Sequence, residues 1–159
     1  MKKIIPNVQV LNSKENISLK DLNILSELIF FENKEYLMYF TPFTNKKNFI
    51  DSVLSSTKDM YFIIKVDQSI VGYISLRGLD DGYPNPRFGI FISKEFSNKG
   101  IGNFASKKII KLCKDKFDYQ FIDLKVDPNN KSAINLYHAL GFKLKEKSEP
   151  ENLMILELN

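Results

Sequence analysis

The sequence predicts one layered α/β (α+β) domain over residues 1–159, and three observations lead to that prediction. Segments with strand-like and helix-like patterns alternate along the chain, which is typical of mixed layer folds. A chain of 159 residues can bury one sizeable core but not two. Its 43% hydrophobic and 26% charged residues are close to the averages of soluble globular proteins. Collagen-like, coiled-coil and wholly disordered chains are therefore excluded.

The first half of the chain is predicted to form a strand, two helices and a hairpin. Ser18 followed by Asp21 has the pattern of a helix N-cap, and apolar residues then recur at helical spacing. Pro42 is expected to interrupt the chain before a second helix. Two β-branched and aromatic runs flank a polar turn and predict a hairpin. Strands are predicted over 8–11, 60–66 and 70–76, and helices over about 19–32 and 45–55.

The second half is predicted to alternate strands and helices after a loop at residues 78–86. This loop is rich in Gly, Asp, Asn and Pro, which favour turns. The next helix has an apolar face and a lysine-rich face, and the last helix ends at Gly141, which suits a C-terminal cap. Strands are predicted over 87–93, 121–126, 142–144 and 154–158, and helices over about 100–116 and between Asn130 and Gly141.

The net charge of +4 makes a nucleic-acid partner the first alternative to weigh. Among the 23 basic residues only Arg77 and Arg87 are arginine, the side chain that base readout favours. The lysines are spread along the chain, whereas nucleic-acid binders concentrate them on one face. The sequence therefore predicts no nucleic-acid partner, although a mildly positive surface could steer a small anionic ligand.

The rarity of cysteine and histidine limits the chemistry that the chain can perform. The single Cys113 cannot form an internal disulfide, and no Cys/His cluster exists, so no metal site is predicted. The N-terminus lacks the apolar core of a signal peptide, and no apolar run is long enough to span a bilayer, so no membrane association is expected. One unpaired cysteine suggests a reducing, cytoplasmic location.

A glycine-containing segment at residues 97–102, Ser-Asn-Lys-Gly-Ile-Gly, separates a predicted strand from a helix. Gly100 and Gly102 let backbone N–H groups approach a ligand closely, and the helix N-terminus behind them favours a phosphate. Lys99 adds a positive charge. The segment is neither Gly-x-Gly-x-x-Gly nor a Walker loop. Taken alone, it is explained equally well as a tight turn.

A second segment, residues 126–142, follows the next predicted strand at the right distance. It contains Asn130, Ala133 and Tyr137 in the pattern Asn-x-x-Ala-x-x-x-Tyr, followed by Gly141-Phe142. Together, the two segments resemble the pyrophosphate loop, Gln/Arg-x-x-Gly-x-Gly/Ala, and the later signature of the GNAT superfamily of acetyl-CoA-dependent N-acetyltransferases. The resemblance implies a central mixed, mostly antiparallel sheet with splayed middle strands and about four flanking helices.

The resemblance also implies where acetyl-CoA, the expected cosubstrate, binds. Its pyrophosphate would lie against backbone N–H groups of residues 99–103, its pantetheine arm would pair with the strand at residues 91–93, and Asn130 would hold the arm from the other side. The family usually has Gln or Arg at the position of Ser97, and this departure is expected to weaken one side-chain contact without abolishing binding. The predicted cofactor-binding residues are Phe91, Ile92, Ser93, Asn98, Lys99, Gly100, Ile101, Gly102, Asn103 and Asn130.

The same resemblance assigns the catalytic role to Tyr137. In the expected reaction a neutral amine attacks a thioester, and a thiolate leaves. A phenol with a pKa near 10 is reasonably matched to protonate a thiol with a pKa near 8.5. Backbone N–H groups near residues 91–92 could stabilise the oxyanion. From helical periodicity alone, Tyr137 would be a core side chain. The general base stays open, and the candidates are Asp80, Asp81, Glu95, Asp127 or a chain of water molecules.

Two further residues are expected to take no part in the chemistry. Cys113 lies on the apolar face of its helix and is predicted to be a small buried hydrophobe rather than an acyl-carrying nucleophile. His138 points about 100° away from Tyr137 around the helix and is predicted to lie on the surface.

The acceptor is predicted to be a small primary amine, with an amino sugar or amino-sugar nucleotide ahead of a polyamine. Two segments could receive it, the aromatic residues 36–43 and the acidic loop 80–86, although core packing explains the first as well. The alternatives are acetylation of a protein N-terminus, as by ribosomal-protein acetyltransferases, and a catalytically weak acetyl-CoA sensor module. The oligomeric state, monomer or homodimer, stays open.

Overall fold

The structure, a computed structural model, describes residues 7–11, 18–38 and 43–159, with only the backbone described for 7–11. Its strands form one mixed, mostly antiparallel sheet in the order β1-β2-β3-β4-β5-β7-β6. The strands are β1 (Asn7–Leu11), β2 (Met60–Val66), β3 (Ser69–Arg77), β4 (Arg87–Ile92), β5 (Phe121–Val126), β6 (Lys143–Glu146) and β7 (Asn152–Glu157). The helices are α1 (Leu19–Phe31), α2 (Lys34–Leu37), α3 (Lys46–Ser55), α4 (Ile101–Lys116) and α5 (Lys131–Leu140). The predicted fold class and the order of strands and longer helices are confirmed.

The sequence did not predict two short helical elements, α2 and a 3-10 turn at Lys94–Phe96. Elements of three or four residues have too few positions to show a helical period. A local cap explains α2, because the side-chain oxygen of Asn33 accepts a hydrogen bond from the N–H of Tyr36 at 2.8 Å. The predicted break at Pro42 lies outside the described residues.

The sheet separates two apolar layers, because alternate side chains of each strand point to opposite faces. One face, called the α4 face, packs against α4 and α5 and includes Phe62, Ile74 and Phe88. The other, called the α1 face, packs against α1 and α3 and includes Tyr61 and Tyr73. The acidic and basic side chains of β4 and β5 therefore lie on the α1 face, beside the helices that precede the sheet.

The middle strands β4 and β5 separate after a single point of contact. They run parallel, and within the described residues only Arg87 and Asp123 are partnered between them. A bidentate ion pair joins these side chains, with Nε–Oδ1 and Nη2–Oδ2 distances of 2.9 and 3.2 Å. Beyond this pair β5 bonds to β7, and none of the described strands covers that edge of β4. The resulting opening, called the gap, confirms the splayed middle strands and determines where ligands can enter.

No helix within 18–38 or 43–159 is both long and apolar enough to cross a membrane. Cys113 is buried in the α4-face core, and burial raises the pKa of its thiol to about 12. His138 is exposed on α5. The predictions for both residues are confirmed.

Candidate active site

A cavity of about 350 Å³, called the α4 cavity, lies on the α4 face where β4, α4 and α5 meet. Most of its wall is apolar, and its polar groups come from the segments that the sequence singled out. The predicted site residues that line it are Ile92, Asn98, Gly100, Gly102, Asn103, Asn130 and Tyr137. The predicted residues outside its lining are Phe91, Ser93, Lys99 and Ile101.

The glycine segment turns sharply into α4 and leaves backbone donors free at the helix start. Asn98 and Gly100 both have left-handed backbone, with φ values of 57° and 81°. Gly100 is the N-cap and offers no side-chain cap. The first intrahelical bond runs from the Phe104 N–H to the Gly100 carbonyl, so the N–H groups of residues 101–103 have no helical partner. This geometry provides an anion site at a helix N-terminus that opens into the α4 cavity.

Ser97, which replaces the usual Gln or Arg, is used inside the turn. Its hydroxyl donates a hydrogen bond to the Lys94 carbonyl at 2.7 Å. Lys99 stays at the surface, with its ammonium 5.6 Å from the centre of the Phe96 ring. The positive charge beside the loop therefore comes from the ammonium group of the exposed Lys99 rather than from the side chain at position 97.

The glycine segment at residues 97–102 and the segment at residues 126–142 contact each other in the structure. The Ser132 hydroxyl donates to the side-chain oxygen of Asn98 at 3.3 Å, which links the start of α5 to the glycine segment. The side-chain oxygen of Asn130 accepts from the Ala133 N–H at 3.3 Å and caps α5. Asn130 is therefore at least a helix cap, and its amide group borders the α4 cavity.

The end of β4 presents the backbone of Ile92 to the gap. The Phe91 carbonyl oxygen faces β3, so close to Gly72 that an added Cβ would lie 2.0 Å from it. The Ser93 N–H donates to the Val71 carbonyl of β3 at 2.8 Å. Because the N–H and C=O of a trans peptide point in opposite directions, the N–H and C=O of Ile92 both point away from β3. Of the predicted strand residues, Ile92 alone has both groups directed away from β3; its C=O accepts a hydrogen bond from the Tyr36 hydroxyl, and its N–H is the donor that faces the gap.

Sequence reasoning missed the role of Tyr36, which it treated only as part of an acceptor segment. The Tyr36 hydroxyl donates to the Ile92 carbonyl at 2.5 Å, and the residue lines the α4 cavity. Burial raises its pKa to about 12, opposed by a hydrogen bond with Ser97 and assisted by the charge of Glu32. Glu32 in turn accepts a hydrogen bond from the Lys94 N–H at 2.9 Å. These contacts fix α2 against the end of β4.

Tyr137 lies between the two layers at the gap. Its side chain is only 7% exposed, and its ring packs edge-on against Phe88 and Phe142 with centroids 6.4 and 5.8 Å apart. None of the hydrogen bonds among the described residues involves its hydroxyl. Burial raises its pKa above the usual value of 10, so the phenol stays protonated at neutral pH.

A second cavity of about 540 Å³, called the α1 cavity, opens on the α1 face. It shares Ile90 and Tyr137 with the α4 cavity, so the two meet through the gap at those residues. Its remaining lining residues are Met38, Tyr73, Ser75, Arg77, Arg87, Phe88, Gly89, Lys125, Asp127, Pro150 and Glu151. The arrangement therefore connects a largely apolar cavity with backbone donors to a charged one, with one tyrosine at the junction.

The candidates for the general base differ in whether they line one of the two cavities. Asp127 lines the α1 cavity, and its side chain also accepts a hydrogen bond from the Asn129 N–H at 2.8 Å, which is the Asx turn that its sequence context suggests. Glu151 lines the same cavity and was missed by sequence reasoning, because nothing local marks it. Asp81 and Glu95 line neither cavity.

Asp80 is held elsewhere, which weighs against its proposed role as base. Its carboxylate accepts hydrogen bonds from the Thr57 hydroxyl and from the N–H groups of Thr57, Lys58 and Asp59. Desolvation raises its pKa, but these hydrogen bonds outweigh that effect and lower it to about 2. A carboxylate whose pKa is this low is a weak base and has little tendency to take a proton from the amine.

None of the residues of loop 80–86, one of the two segments expected to receive the acceptor, lines the α4 cavity or the α1 cavity. Gly82, Tyr83 and Pro84 line a separate cavity beside the end of α4. In the other expected acceptor segment, Phe43 is buried against Phe49, as core packing predicts, whereas Met38 lines the α1 cavity. Residues 39–42 of that segment lie outside the described residues.

Comparison with known proteins gives a family. A family model described as the acetyltransferase (GNAT) family matches residues 23–142, well over half of the chain. The chain belongs to the GNAT family. An N-alpha-acetyltransferase from Sulfurisphaera tokodaii is 30% identical over 94 residues, which are 52% of this chain and 56% of that protein. The chain spans about 56 to 60% of the length of the curated relatives that it matches.

Solved structures support the same fold. A spermidine N-acetyltransferase from Vibrio cholerae, solved with CoA and spermine, has a TM-score of 0.75 at 15% identity and covers 96% of this chain and 95% of its own. A ribosomal-protein-S5-alanine acetyltransferase from Vibrio fischeri has a TM-score of 0.77 at 16% identity and covers 97% of this chain and 93% of its own. These two structures show that the chain has the GNAT fold. Their own names give different acceptors, spermidine for one and the alanine of ribosomal protein S5 for the other.

Proposed function

We propose that this GNAT domain transfers an acetyl group from acetyl-CoA directly to the primary amine of a small molecule. The observation that carries the proposal is the junction of the α4 and α1 cavities at Tyr137. When bound, acetyl-CoA supplies an acetyl thioester: a C–N bond replaces the C–S bond, the nitrogen loses a proton and the sulfur gains one. A protonated side chain that borders both cavities is placed to serve such a transfer.

The α4 cavity fits the parts of coenzyme A. The uncapped N–H groups of residues 101–103 suit a pyrophosphate, since they combine free donors with the positive end of the α4 dipole. The outward N–H of Ile92 suits a carbonyl of an amide-containing arm that lies along the strand edge, in the manner of an extra strand, whereas the Ile92 C=O already accepts from the Tyr36 hydroxyl. The apolar remainder of the cavity suits the methylene groups of that arm.

Tyr137 would act as the general acid, and the Ile92 N–H would stabilise negative charge on the acetyl oxygen. The raised pKa keeps the phenol protonated at neutral pH, so its hydroxyl can donate a hydrogen bond to the thiolate that develops as the C–S bond breaks. The Ile92 N–H points into the gap, where a developing oxyanion would find a fixed donor. The amine proton would leave through Asp127, Glu151 or a water chain, since both carboxylates line the α1 cavity.

A small acceptor is favoured by the α1 cavity, which is bounded by side chains on the sheet and by residues 150–151. Acetylation of a protein N-terminus is the second candidate, and the 30% identity to an N-alpha-acetyltransferase favours it. A sensor module that binds acetyl-CoA without turnover is the remaining alternative. The cytoplasmic location, the single-domain organisation over residues 1–159 and a monomeric or homodimeric state stay predictions.

A panel of primary amines, amino sugars, polyamines and N-terminal peptides, assayed for release of free coenzyme A thiol, tests the proposal. We expect turnover with at least one small amine, and calorimetry should detect binding of coenzyme A. Binding without turnover across the panel would favour the sensor module. Turnover confined to peptides would favour N-terminal acetylation. Absence of both binding and turnover would refute the acetyltransferase assignment.

A further inference from the structure

One end of the α1 cavity carries two arginines side by side. Arg77, the last residue of β3, is directly opposite Arg87 of β4, and both line the cavity. Directly opposed residues on neighbouring strands point to the same face, so the two cations share the α1 face. Like charges in that position repel each other, and the pair therefore needs compensation from nearby anions.

Among the described residues, Arg87 has a carboxylate partner in an ion pair and Arg77 does not. Arg87 forms the bidentate pair with Asp123, whereas Arg77 forms no ion pair with any described residue. Its guanidinium lies 4.7 Å above the centre of the Phe43 ring, and it also hydrogen-bonds to Tyr61. Its buried Nε has no hydrogen-bond acceptor among the described residues. A half-buried guanidinium thus borders the cavity without a direct carboxylate partner among the described residues; Asp59 and Asp80 act on the Tyr61 hydroxyl but form no ion pair with Arg77.

Gly89 leaves space in the wall of the α1 cavity near Arg77. Gly89 is opposite Ser75, and a Cβ added to Gly89 would lie 2.9 Å from the Ser75 Oγ. Gly89 has no positive φ, so the backbone conformation itself does not require glycine there. Its missing side chain instead leaves space next to the Ser75 hydroxyl, and both residues line the α1 cavity.

The charges of the α1 cavity are arranged along the strands. Because β4 and β5 are parallel with Arg87 beside Asp123, Asp127 lies four residues further along, near the level of Ile90 and Tyr137. Arg77 and Arg87 lie three residues behind Ile90, a distance of about 10 Å along the strand. The cavity therefore has the Asp127 carboxylate near the Tyr137 end. At the other end Arg77 stands beside Arg87, whose charge Asp123 and Glu151 offset.

We propose that the acceptor amine carries an anionic group, a carboxylate or a phosphate, that binds Arg77. The inference rests on the proposed function and narrows its substrate class. The amine would lie near Asp127 and Tyr137, and several bonds would separate it from the anion at Arg77. The planar fork of a guanidinium suits carboxylate and phosphate oxygens alike. A polyamine would instead place a second cation beside Arg77, which costs free energy.

Matched pairs of amines test this directly in the full chain. Aminohexanoate is compared with hexylamine, and aminopropyl phosphate with aminopropanol, by kcat/KM for thiol release. We expect at least one anionic member to exceed its uncharged counterpart roughly tenfold or more, which corresponds to one charged hydrogen-bonded contact. The pair with the larger ratio of kcat/KM, anionic member over uncharged member, shows whether Arg77 prefers a carboxylate or a phosphate. A spermidine kcat/KM above those of all four amines would overturn the inference and leave the acetyltransferase function standing.

The variant Arg77→Gln should reduce that ratio roughly 10- to 100-fold, mainly through KM for the anionic amine, and Arg77→Lys should restore part of it. Lys107→Gln, which removes an exposed lysine of α4, is the matched control for net charge and should leave the ratio unchanged. Calorimetry with coenzyme A checks that each variant is folded. An unchanged ratio in a folded Arg77→Gln variant would refute the role of Arg77. If no amine is acetylated by the unmodified chain, the proposed function fails, and this inference fails with it.

Discussion

The α4 cavity and the α1 cavity share Tyr137 in their walls but differ in the chemical groups that line them. Backbone groups and apolar side chains form the first, and its polar groups come from two short contiguous segments. Charged side chains form much of the second, and they come from three strands and from residues 150–151. Backbone donors bind the same group whatever the side chains are, whereas side-chain charges change with single substitutions. A family can therefore keep its cofactor while its acceptors diverge.

The largest effect is expected at the junction itself. Replacing Tyr137 with phenylalanine removes the proposed proton donor but keeps the ring that packs on Phe88 and Phe142. We expect kcat to fall roughly 10²- to 10⁴-fold, the usual contribution of general acid catalysis, with little change in coenzyme A affinity. Steady-state kinetics and calorimetry measure the two quantities.

The exposed neighbour provides the control for that variant, since His138→Gln should leave kcat unchanged. The pH profile adds a second check. The raised pKa of Tyr137 means that its proton is fully present below pH 10 and is lost only above it. Loss of kcat with an apparent pKa well below 10 that disappears in Tyr137→Phe would contradict this assignment of the raised pKa.

The next effect concerns the α4 cavity alone. Gly100 has a φ of 81°, so alanine there costs about 1 to 2 kcal/mol or moves the loop that presents the backbone donors. We expect Gly100→Ala to weaken coenzyme A binding about tenfold by calorimetry.

Gly82→Ala is the matched control, because Gly82 has a similar left-handed φ of 92° but does not line the α4 cavity. Its affinity should stay within about threefold of the original, a change worth under 1 kcal/mol. Equal weakening by both substitutions would show that general destabilisation, rather than the loop at Gly100, lowers the affinity.

A smaller effect is expected at the charged end of the α1 cavity. Asp123→Asn removes the anion that pairs with Arg87, whereas Arg87→Gln removes one of the two opposed cations. Since the Arg87 side chain is 47% exposed, solvent screens the interaction, and we expect Asp123→Asn to lose about 1 kcal/mol of unfolding free energy. Urea denaturation should find Arg87→Gln less damaging. The reverse order would mean that the arginines do not repel.

The smallest effect lies outside both cavities. The folded state holds the pKa of Asp80 at about 2, below the ordinary value of 3.8, so its stabilisation is present above pH 3.8 and is lost as pH falls toward 2. Asp80→Asn should therefore flatten the acid limb of the stability curve by under 1 kcal/mol, given the exposure of the group. Acetyl transfer should not change. A large loss of kcat in this variant would reinstate Asp80 as the base.

Local patterns in the sequence predicted most of the fold and most of the α4 cavity. Apolar periodicity predicted the four longer helices, and short apolar, aromatic or β-branched runs predicted the seven described strands, with ends displaced by a few residues. The glycine segment and the Asn130–Tyr137 pattern predicted which residues border the α4 cavity. Such predictions succeed because periodicity, capping and left-handed turns are properties of neighbouring residues.

Only the tertiary structure decided the α1 cavity and the contacts across the gap. Tyr36 and Ile92 are 56 residues apart, and Arg87 and Asp123 are 36 apart. Strand order and register bring these pairs together, and no local pattern encodes either one. Tertiary structure also left loop 80–86 out of the lining of both cavities and placed Glu151 in the α1 cavity. The sequence by itself thus determined the family and the place for a cofactor, whereas pairing between distant strands determined the charges that an acceptor would meet.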